Sequence, residues 1–307
     1  MIKAKSRDIS TRNSALFFLF LLPAVFAFCM VIVVPFIMGI YYSFTNWNAI
    51  TGTAVEWVGL KNYFAITSDI TFLHAFLVTV VYAVMNIIVL NVCSFFMALL
   101  VTNNLKFKGV YRAGFFLPNL IGGLILGYIW QFIFNNAIPS LGKSIGLTWL
   151  YEHLFLADQN TALLAIVIVG TWQYAGYIMM IYVASIQGIP DSLLEAAEID
   201  GANYFQKLRA IIFPLVAPAF TVSMFLTLIN SFKQFDVNYS LTFGGPSGMF
   251  MGKAIMTNEF LALNIYQTAF AYNQLAQGQA KAIIFFIVIA AISMIQVRAN
   301  KKREIEM

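Results

Sequence analysis

The chain has 307 residues, of which 61% are hydrophobic and only 10% are charged. Soluble domains contain about 25% charged residues, so this composition is typical of an integral membrane protein, and no polar segment is long enough to bury a core of its own. The formal net charge of +5 does not indicate a nucleic-acid surface, because the basic residues lie at the ends of apolar segments. Cys29 and Cys93 lie inside apolar runs and predict neither a disulfide nor a metal site.

Six apolar runs are each long enough to cross a bilayer as a helix, which takes about 20 residues. The first follows a basic N-terminal segment and is too long for the core of a signal peptide, so we expect it to be retained. A further apolar stretch, 254–270, contains Glu259, and we expect a helix that lies on, or dips into, the outer face. The six predicted spans are 15–42, 73–101, 113–134, 161–187, 212–235 and 279–297.

The basic residues orient these spans. With the N-terminus in the cytoplasm, most of the 18 Lys and Arg residues fall in cytoplasmic segments, as the positive-inside rule requires. The outer loops hold only Lys61, Lys143 and Lys253, while Lys233 and Lys281 lie near outer helix ends and can extend to the interface. We therefore predict that both termini are cytoplasmic. The residues assigned to the cytoplasm are Lys3, Lys5, Arg7, Arg12, Lys106, Lys108, Arg112, Lys207, Arg209, Arg298, Lys301, Lys302 and Arg303.

The segment 188–218, between the fourth and fifth spans, carries a density of charge that hydrocarbon does not tolerate, so it must lie in water. Ser192 and Glu195 fit the capping-box pattern S-x-x-E, and Asp200-Gly201 is a turn dipeptide. We expect a short helix, a turn and a second helix. Periodicity alone would also fit an amphipathic surface helix in a connecting loop. The charged residues of the segment 188–218 are Asp191, Glu195, Glu198, Asp200, Lys207 and Arg209.

The pattern E-A-A-x-x-D-G-A in this segment, followed by Gln206, Ile211, Pro214 and Pro218 at their spacings, resembles the EAA loop of bacterial ABC-importer permeases. Leu208 stands where that family usually has Phe. The resemblance implies a coupling helix seated in a groove of a cytoplasmic ATPase, and small residues suit such docking because they let another protein come close. The coupling residues would be Glu195, Ala196, Ala197, Asp200, Gly201 and Ala202.

Further motifs extend the resemblance from about residue 16 to residue 298. They are S-F-T-N-W at 43–47, V-G-L-K-N-Y at 58–63, K-G-V-Y-R at 108–112 with F-L-P at 116–118, and L-T-F-G-G-P at 241–246. The chain is similar to the first permease of the carbohydrate (maltose and multiple-sugar) type. The resemblance implies an all-α integral membrane fold, the type I ABC-importer transmembrane domain, with six transmembrane helices.

The predicted topology and the resemblance together divide the chain into four parts. They are a cytoplasmic tail (1–14), the first span with its outer loop (15–72), the permease core (73–298) and a basic cytoplasmic tail (299–307).

The resemblance also implies a complex in the bacterial cell membrane. It would contain a homologous second permease, an ABC ATPase dimer and an extracytoplasmic binding protein that delivers a carbohydrate. The chain itself would bind no cofactor, since ATP would bind to the ATPase. Gly142-Lys143-Ser144 is similar to the end of a P-loop, but Ala137 replaces its first glycine and no strand precedes it, so we expect no nucleotide site there.

Polar side chains within spans are costly in lipid and tend to face a bundle interior or a pathway. Two sets have spacings that predict a shared helix face. In maltose-type permeases the corresponding positions line the sugar pathway, and the resemblance implies the same here; the alternative is hydrogen bonding between helices. Asn86, Asn91 and the pair Gly123-x-x-x-Gly127 are more typical of helix packing. The two sets are Gln173, Tyr174 and Tyr177 in the fourth span, and Thr227, Asn230 and Ser231 in the fifth.

Other functions remain open at this stage. Glycerol-phosphate-type importers share most of these motifs but must bind an anion, and no Arg or Lys lies in the middle of a predicted span, which favours a neutral sugar. An intramembrane enzyme would need paired catalytic residues inside spans, and the sequence shows none. A membrane receptor or assembly scaffold that transports nothing would need no coupling motif.

Overall fold

The computed structural model describes residues 3–48, 50, 54–103 and 106–301, except for the side chains of 3–15 and 300–301. The basic side chains predicted to hold both termini in the cytoplasm therefore lie largely outside the described residues, including those of the tail 302–307. Within the described ranges the chain is mainly helical, as expected.

Among the described residues, five helices are long and apolar enough to cross a membrane, and a bent pair of helices supplies a sixth span. These elements confirm the six predicted spans, although the fifth begins earlier than expected. The five helices are Leu16–Ser43, Ile70–Thr102, Gln159–Gln187, Tyr204–Phe232 and Leu275–Ala299, and the bent pair is Lys108–Leu120 with Gly123–Ile145.

One compact unit consists of residues 1–67 and 268–283. Its N-terminal span exposes a long apolar surface, including Phe20 and Val31. Lys281, expected to extend to the interface, is instead buried, with 2% of its surface exposed, and its Nζ donates to Thr268 Oγ1 at 2.8 Å. The helices that begin in this unit are α1 (Lys3–Phe28), α2 (Val34–Ser43) after a π turn at Cys29–Val33, α3 (Lys61–Thr67) and, after the π turn Gln267–Ala271, the long C-terminal helix (Leu275–Lys301).

In the same unit, the chain between α2 and α3 folds back on itself. Thr45 and Trp57 form an isolated antiparallel bridge. The side-chain amide of Asn62 donates to the carbonyl oxygens of Ser43 and Thr45, at 2.7 and 2.8 Å. These contacts bring the two motifs at 43–47 and 58–63 together.

The other unit consists of residues 68–267 and 284–307. Asp69 and Asp158 cap its two longest helices, since each carboxylate accepts from two backbone N–H groups of the first turn. These helices pack with the fifth span around an aromatic cluster, in which the ring of Phe95 lies 5.5 Å from Tyr182 and 5.1 Å from Phe220. The three helices are α4 (Ile70–Thr102), α9 (Gln159–Gln187) and α12 (Phe213–Phe232).

Shorter elements connect these long helices. They are α5 (Lys108–Phe116), the 3-10 turn Leu117–Leu120, α6 (Gly123–Phe132), the π turn Ile133–Ala137, α7 (Ile138–Ile145), α8 (Thr148–Glu152), α10 (Asp191–Ile199), α11 (Tyr204–Lys207), the π turn Leu208–Ile212 and α13 (Asp236–Thr242). After α13 come β1 (Ser247–Phe250), β2 (Lys253–Met256) and α14 (Leu261–Tyr266), so that Leu275–Lys301 is α15.

The third span is bent rather than straight, which corrects the helix predicted over 113–134. Lys108–Leu120 and Gly123–Ile145 meet at 97°. Pro118 and the pair Gly122-Gly123 flank the break, and both residue types weaken a helix. The predicted small-xxx-small contact is confirmed, but it is made with α13: a Cβ on Gly123 would lie 2.6 Å from that of Asp236, and one on Gly127 would overlap Ser240 Oγ.

The helix expected over 254–270 is wrong in its first part. Residues 253–256 form β2, which pairs with β1 in the small sheet that interrupts the all-α fold. Gly252 lies in the connecting turn with φ +78°, a conformation that glycine adopts without strain. The helical part, α14, packs into the protein: Leu261 and Leu263 are buried, and the Leu261 N–H donates to Thr79 Oγ1 of α4 at 2.9 Å.

Candidate functional site

The chain from the end of the fourth span to the first turn of the fifth, residues 188–207, is here named the interspan loop. It forms α10 and then turns at Gly201, whose φ of +76° favours glycine. Asn203 caps α11 through a reciprocal pair of bonds: its Oδ1 accepts from Gln206 N at 2.9 Å, and Gln206 Oε1 accepts from Asn203 N at 2.7 Å. The predicted order of helix, turn and helix is confirmed.

The capping box predicted for Ser192 and Glu195 is wrong. Pro190 occupies the N-cap position of α10 and has no side-chain acceptor, so Ser192 lies within the first turn. The fixed φ of proline, rather than a hydroxyl bond, sets the entry into this helix. The box forms at Asn203 instead, where the helix after the turn begins. That helix continues through the π turn and past Pro214 and Pro218 to Phe232.

An ion pair closes the corner of the interspan loop. Lys207 Nζ lies 2.7 Å from Glu198 Oε1 and so ties α11 to α10. The hydrogen bond from Lys207, together with its positive charge, lowers the pKa of Glu198 below its usual value. Because Glu198 is exposed, water screens the pair, which joins α10 to α11 but adds little to stability. A cavity of about 440 Å³ lies beside this corner, lined by both residues and Asp191.

The predicted coupling residues lie on an exposed surface of the interspan loop. Ala197 and Ala202 are half-buried, and the other four are exposed: Glu195, Ala196, Asp200 and Gly201. Next to them, Ile199 is 87% exposed and Phe205 is 77% exposed. Large apolar side chains exposed this fully on a charged loop are typical of a contact with another protein. Sequence reasoning missed both residues, although an apolar residue directly before Asp200-Gly201 is a signal that could have found the first.

The predicted pathway set on the fourth span divides into one buried and two half-buried side chains. Gln173 is buried, and its Nε2 donates to the carbonyl of Ile121 at 3.1 Å, at the break of the third span. Tyr174 and Tyr177 are half-buried. Tyr177 lines an open cavity of about 650 Å³ together with Arg112.

The set on the fifth span does not share one face. Thr227 and Ser231 are buried, whereas Asn230 is exposed. Thr227 Oγ1 accepts from Asn91 Nδ2 at 3.4 Å, and Ser231 Oγ accepts from Asn86 Nδ2 at 2.9 Å, both on α4. Consecutive residues are rotated by about 100° around a helix, so position 230 can turn away from α4 while 227 and 231 face it. Among the described residues, no hydrogen bond joins this set to the one on α9.

Asn91 lies at the centre of a polar network that joins three helices. Its Oδ1 accepts from the hydroxyl of Tyr182 on α9 at 2.8 Å, and that hydroxyl lies 2.6 Å from Ser223 Oγ on α12. With the bond to Thr227, the network links α4, α9 and α12 inside the core. The packing role expected for Asn86 and Asn91 is confirmed.

Both histidines pack against aromatic rings. The ring of His74 lies 4.9 Å from Phe250, and that of His153 lies 5.9 Å from Trp149. Across the described ranges, no three His, Cys, Asp or Glu residues are grouped as metal ligands would be.

These features define a class: a multi-pass α-helical membrane protein whose fourth and fifth spans are joined by a loop with exposed apolar side chains. The chain belongs to the family of inner membrane components of binding-protein-dependent transport systems, which matches residues 91–305. It is therefore a membrane-spanning permease subunit of a binding-protein-dependent importer in the cell membrane, and a transport subunit rather than an enzyme.

Known proteins resemble this chain over nearly its full length. It is 46% identical over 296 residues to a probable permease protein of a transport system for starch degradation products from Thermoanaerobacterium thermosulfurigenes, covering 96% of this chain and 97% of that protein. It is 31% identical over 271 residues to a permease protein of a multiple sugar-binding transport system from Streptococcus mutans, covering 88% and 90%. The fold matches a crystal structure of a bacterial ABC transporter that imports the polysaccharide alginate, with a TM-score of 0.79, 20% identity and coverage of 97% and 99%.

Proposed function

We propose that this chain is one of two homologous permeases in an ABC importer that moves an oligosaccharide of the starch-breakdown class into the cell. The observation that carries the proposal is the interspan loop, which presents Ile199 and Phe205 to water beside small residues. Such a surface suits the groove of a partner ATPase dimer, which would bind the ATP. The names of the two sugar-transport relatives support the substrate class.

The contacts of the interspan loop would let it transmit a displacement to the fifth span. The ion pair between Glu198 and Lys207 and the cap at Asn203 fix the corner, and Tyr204–Phe232 runs as one helix from that corner into the bundle. A displacement of the loop by the ATPase would therefore shift α12 as a body rather than bend the loop. Because α12 shares a polar network with α4 and α9, the shift would reach all three helices and favour one access state over the other.

The substrate would pass along the surfaces that carry the three predicted pathway residues that are not buried. Tyr174 and Tyr177 offer aromatic ring faces and hydroxyl groups, and Asn230 offers an amide to a sugar hydroxyl. The other three predicted residues make hydrogen bonds within the bundle and would hold the walls in place: Gln173, Thr227 and Ser231.

The same proposal assigns the remaining parts of the chain. Both termini, the tails 1–14 and 299–307 and the interspan loop would lie in the cytoplasm. The first span with its outer loop, 15–72, and the core, 73–298, would contact the second permease, and an extracytoplasmic binding protein would deliver the sugar. The exposed apolar surface of the first span supports a partner or lipid on that side.

The test compares two glycine substitutions in the complex purified with its partner subunits. Gly201→Asp places a carboxylate on the interspan loop, and Gly252→Asp is the matched control, since Gly252 has nearly the same φ and a Cβ meets no atom within 4 Å at either site. We expect wild type and Gly252→Asp to retain an ATPase subunit whose hydrolysis rises with binding protein and maltotriose. Gly201→Asp should either lose the ATPase subunit or show stimulation of hydrolysis that is at least tenfold weaker.

Three results would contradict the proposal. If wild type retains no ATPase subunit, the proposed assembly is wrong. If Gly201→Asp is stimulated as strongly as wild type, the interspan loop does not couple hydrolysis to transport. If glycerol 3-phosphate stimulates hydrolysis and no sugar does, the permease assignment stands but the carbohydrate class is wrong.

A further inference from the structure

A pocket of about 290 Å³ lies beside the outer loop, within the unit formed by residues 1–67 and 268–283. The predicted pathway residues all belong to the other unit. The walls of the pocket come from the motifs at 43–47 and 58–63 and from the start of α15. The lining residues used below are Asn46, Trp47, Lys61, Asn62, Gln274 and Gln277.

The walls of this outer pocket are fixed by hydrogen bonds and stacking. The Asn62 amide holds two carbonyl groups of the preceding turn, and Ser43 Oγ lies 2.8 Å from Tyr63 Oη. The carbonyl of Trp47 accepts from Ala276 N at 2.9 Å, which ties the loop to α15. The ring of Trp47 packs 4.4 Å from that of Tyr42. A pocket with walls held in this way is largely formed before a ligand binds.

Several polar groups at the pocket have no partner. Among the described residues, the Lys61 ammonium and the side-chain amides of Gln274 and Gln277 make no hydrogen bond. Asn46 Oδ1 accepts from Glu56 N at 2.8 Å, which leaves its NH₂ group available. These groups supply both donors and acceptors around one concave space beside an indole ring.

This combination fits one sugar unit. A sugar hydroxyl both donates and accepts, as a primary amide does, and the apolar face of a pyranose packs against an aromatic ring. Among the described residues that line the pocket, none is acidic, so none would recognise a cationic ligand. One exposed lysine gives an anion little attraction, because water screens its charge. The lining therefore favours a neutral saccharide.

We propose that the outer pocket is a second saccharide-binding site, which holds one sugar unit of the imported oligosaccharide on the outer side of the membrane. The choice of ligand rests on the proposed function, and the location rests on residues that no pathway role requires. The S-F-T-N-W and V-G-L-K-N-Y motifs, which the coupling mechanism does not use, would build the walls of this site.

The experiment measures saccharide binding to the purified complex without binding protein, by saturation-transfer difference NMR with maltose and maltotriose as probes. The variant is Gln274→Ala with Gln277→Ala, which removes two free amides without touching the bonds that fix the walls. Since each lost hydrogen bond weakens binding several-fold, we expect the Kd to rise about tenfold. Gln159→Ala with Asn160→Ala, which removes two exposed amides at the start of α9, is the matched control and should leave this binding event unchanged. Size-exclusion profiles verify that both variants assemble.

The outcomes separate this inference from the proposed function. An unchanged Kd in the double variant would overturn the site, and so would the absence of any saccharide binding to wild type. If the double variant keeps its saccharide Kd but loses stimulation by the binding protein, the pocket is a protein contact and the inference is wrong. In each case, hydrolysis stimulated through the interspan loop would still support the proposed function.

Discussion

At the residue scale, the sequence identifies polar side chains inside spans but not the directions in which they point. Thr227 and Ser231 face α4, while Asn230, between them in the chain, is exposed. Spacing alone allowed all three to share a face, because a helical face is wide enough to include i, i+3 and i+4. Which part of that face meets a neighbour depends on the rotation of α12, which packing against α4 and α9 decides.

A substitution at Asn91 tests whether the buried polar network that joins α4, α9 and α12 stabilises the bundle. Asn91→Leu removes the acceptor for Tyr182 and the donor to Thr227, and hydrogen bonds between membrane helices contribute roughly 0.6 kcal/mol each on average. We expect a loss of about 1 kcal/mol in the free energy of unfolding, measured in detergent by chemical denaturation.

A double-mutant cycle with Tyr182→Phe isolates the bond between the two side chains. The loss in the double variant should be smaller than the sum of the two single losses by about 0.6 kcal/mol, since the same bond is removed in both. Strictly additive losses would show that this bond contributes nothing, and that the effect of Asn91→Leu comes from packing.

At the element scale, the six spans could be predicted because length and apolarity decide whether a helix can cross a bilayer. The places where these helices break could not be predicted. The bend in the third span follows Pro118 and two glycines, but many membrane helices contain such residues without bending by 97°. The hairpin at 247–256 was missed for a similar reason: it is too short and too apolar to differ from a helical run in sequence.

Two glycines lie in close contacts between helices, and the effects of substituting them on stability can be compared. A Cβ on Gly127 would overlap the hydroxyl of Ser240, whereas a Cβ on Gly176 would overlap the carbonyl oxygen of Phe115. Overpacking of this kind costs about 1–3 kcal/mol. We expect Gly127→Ala and Gly176→Ala each to lower the midpoint of thermal unfolding of the purified protein.

Only the first of these losses should be recoverable. Ser240→Gly removes the side chain that a Cβ at position 127 meets, so it should restore part of the stability of Gly127→Ala. The same change cannot help Gly176→Ala, because a backbone atom causes that clash. Equal recovery of both, or of neither, would mean that the close contact between α6 and α13 is not what Gly127 preserves.

At the scale of the whole molecule, the interspan loop could be located from sequence because its density of charge is a local property. Its exposed apolar side chains and the outer pocket could not, since both depend on residues that folding brings together. Gln274 and Gln277, for example, are far in sequence from Trp47, and nothing in their own neighbourhood predicts that they line one pocket.

The orientation of the chain in the membrane is predicted from its basic residues and has a direct test. In a background with Cys29→Ser and Cys93→Ala, a single cysteine is introduced at exposed Ser192 on α10 or at exposed Ser247 on β1. The fifth span separates these positions, so they should face opposite sides of the membrane. A membrane-impermeant maleimide should label Ser247→Cys on intact cells, and Ser192→Cys only after permeabilisation.

The two labelling patterns have different consequences for the proposed mechanism. Labelling of Ser192→Cys on intact cells would place the interspan loop outside, where no cytoplasmic ATPase could bind it, and the coupling proposal would fail. Labelling of both positions would mean that 204–232 does not cross the bilayer. The expected pattern places the loop inside and the outer pocket on the side from which sugar arrives, because an odd number of spans separates α10 from the start of α15.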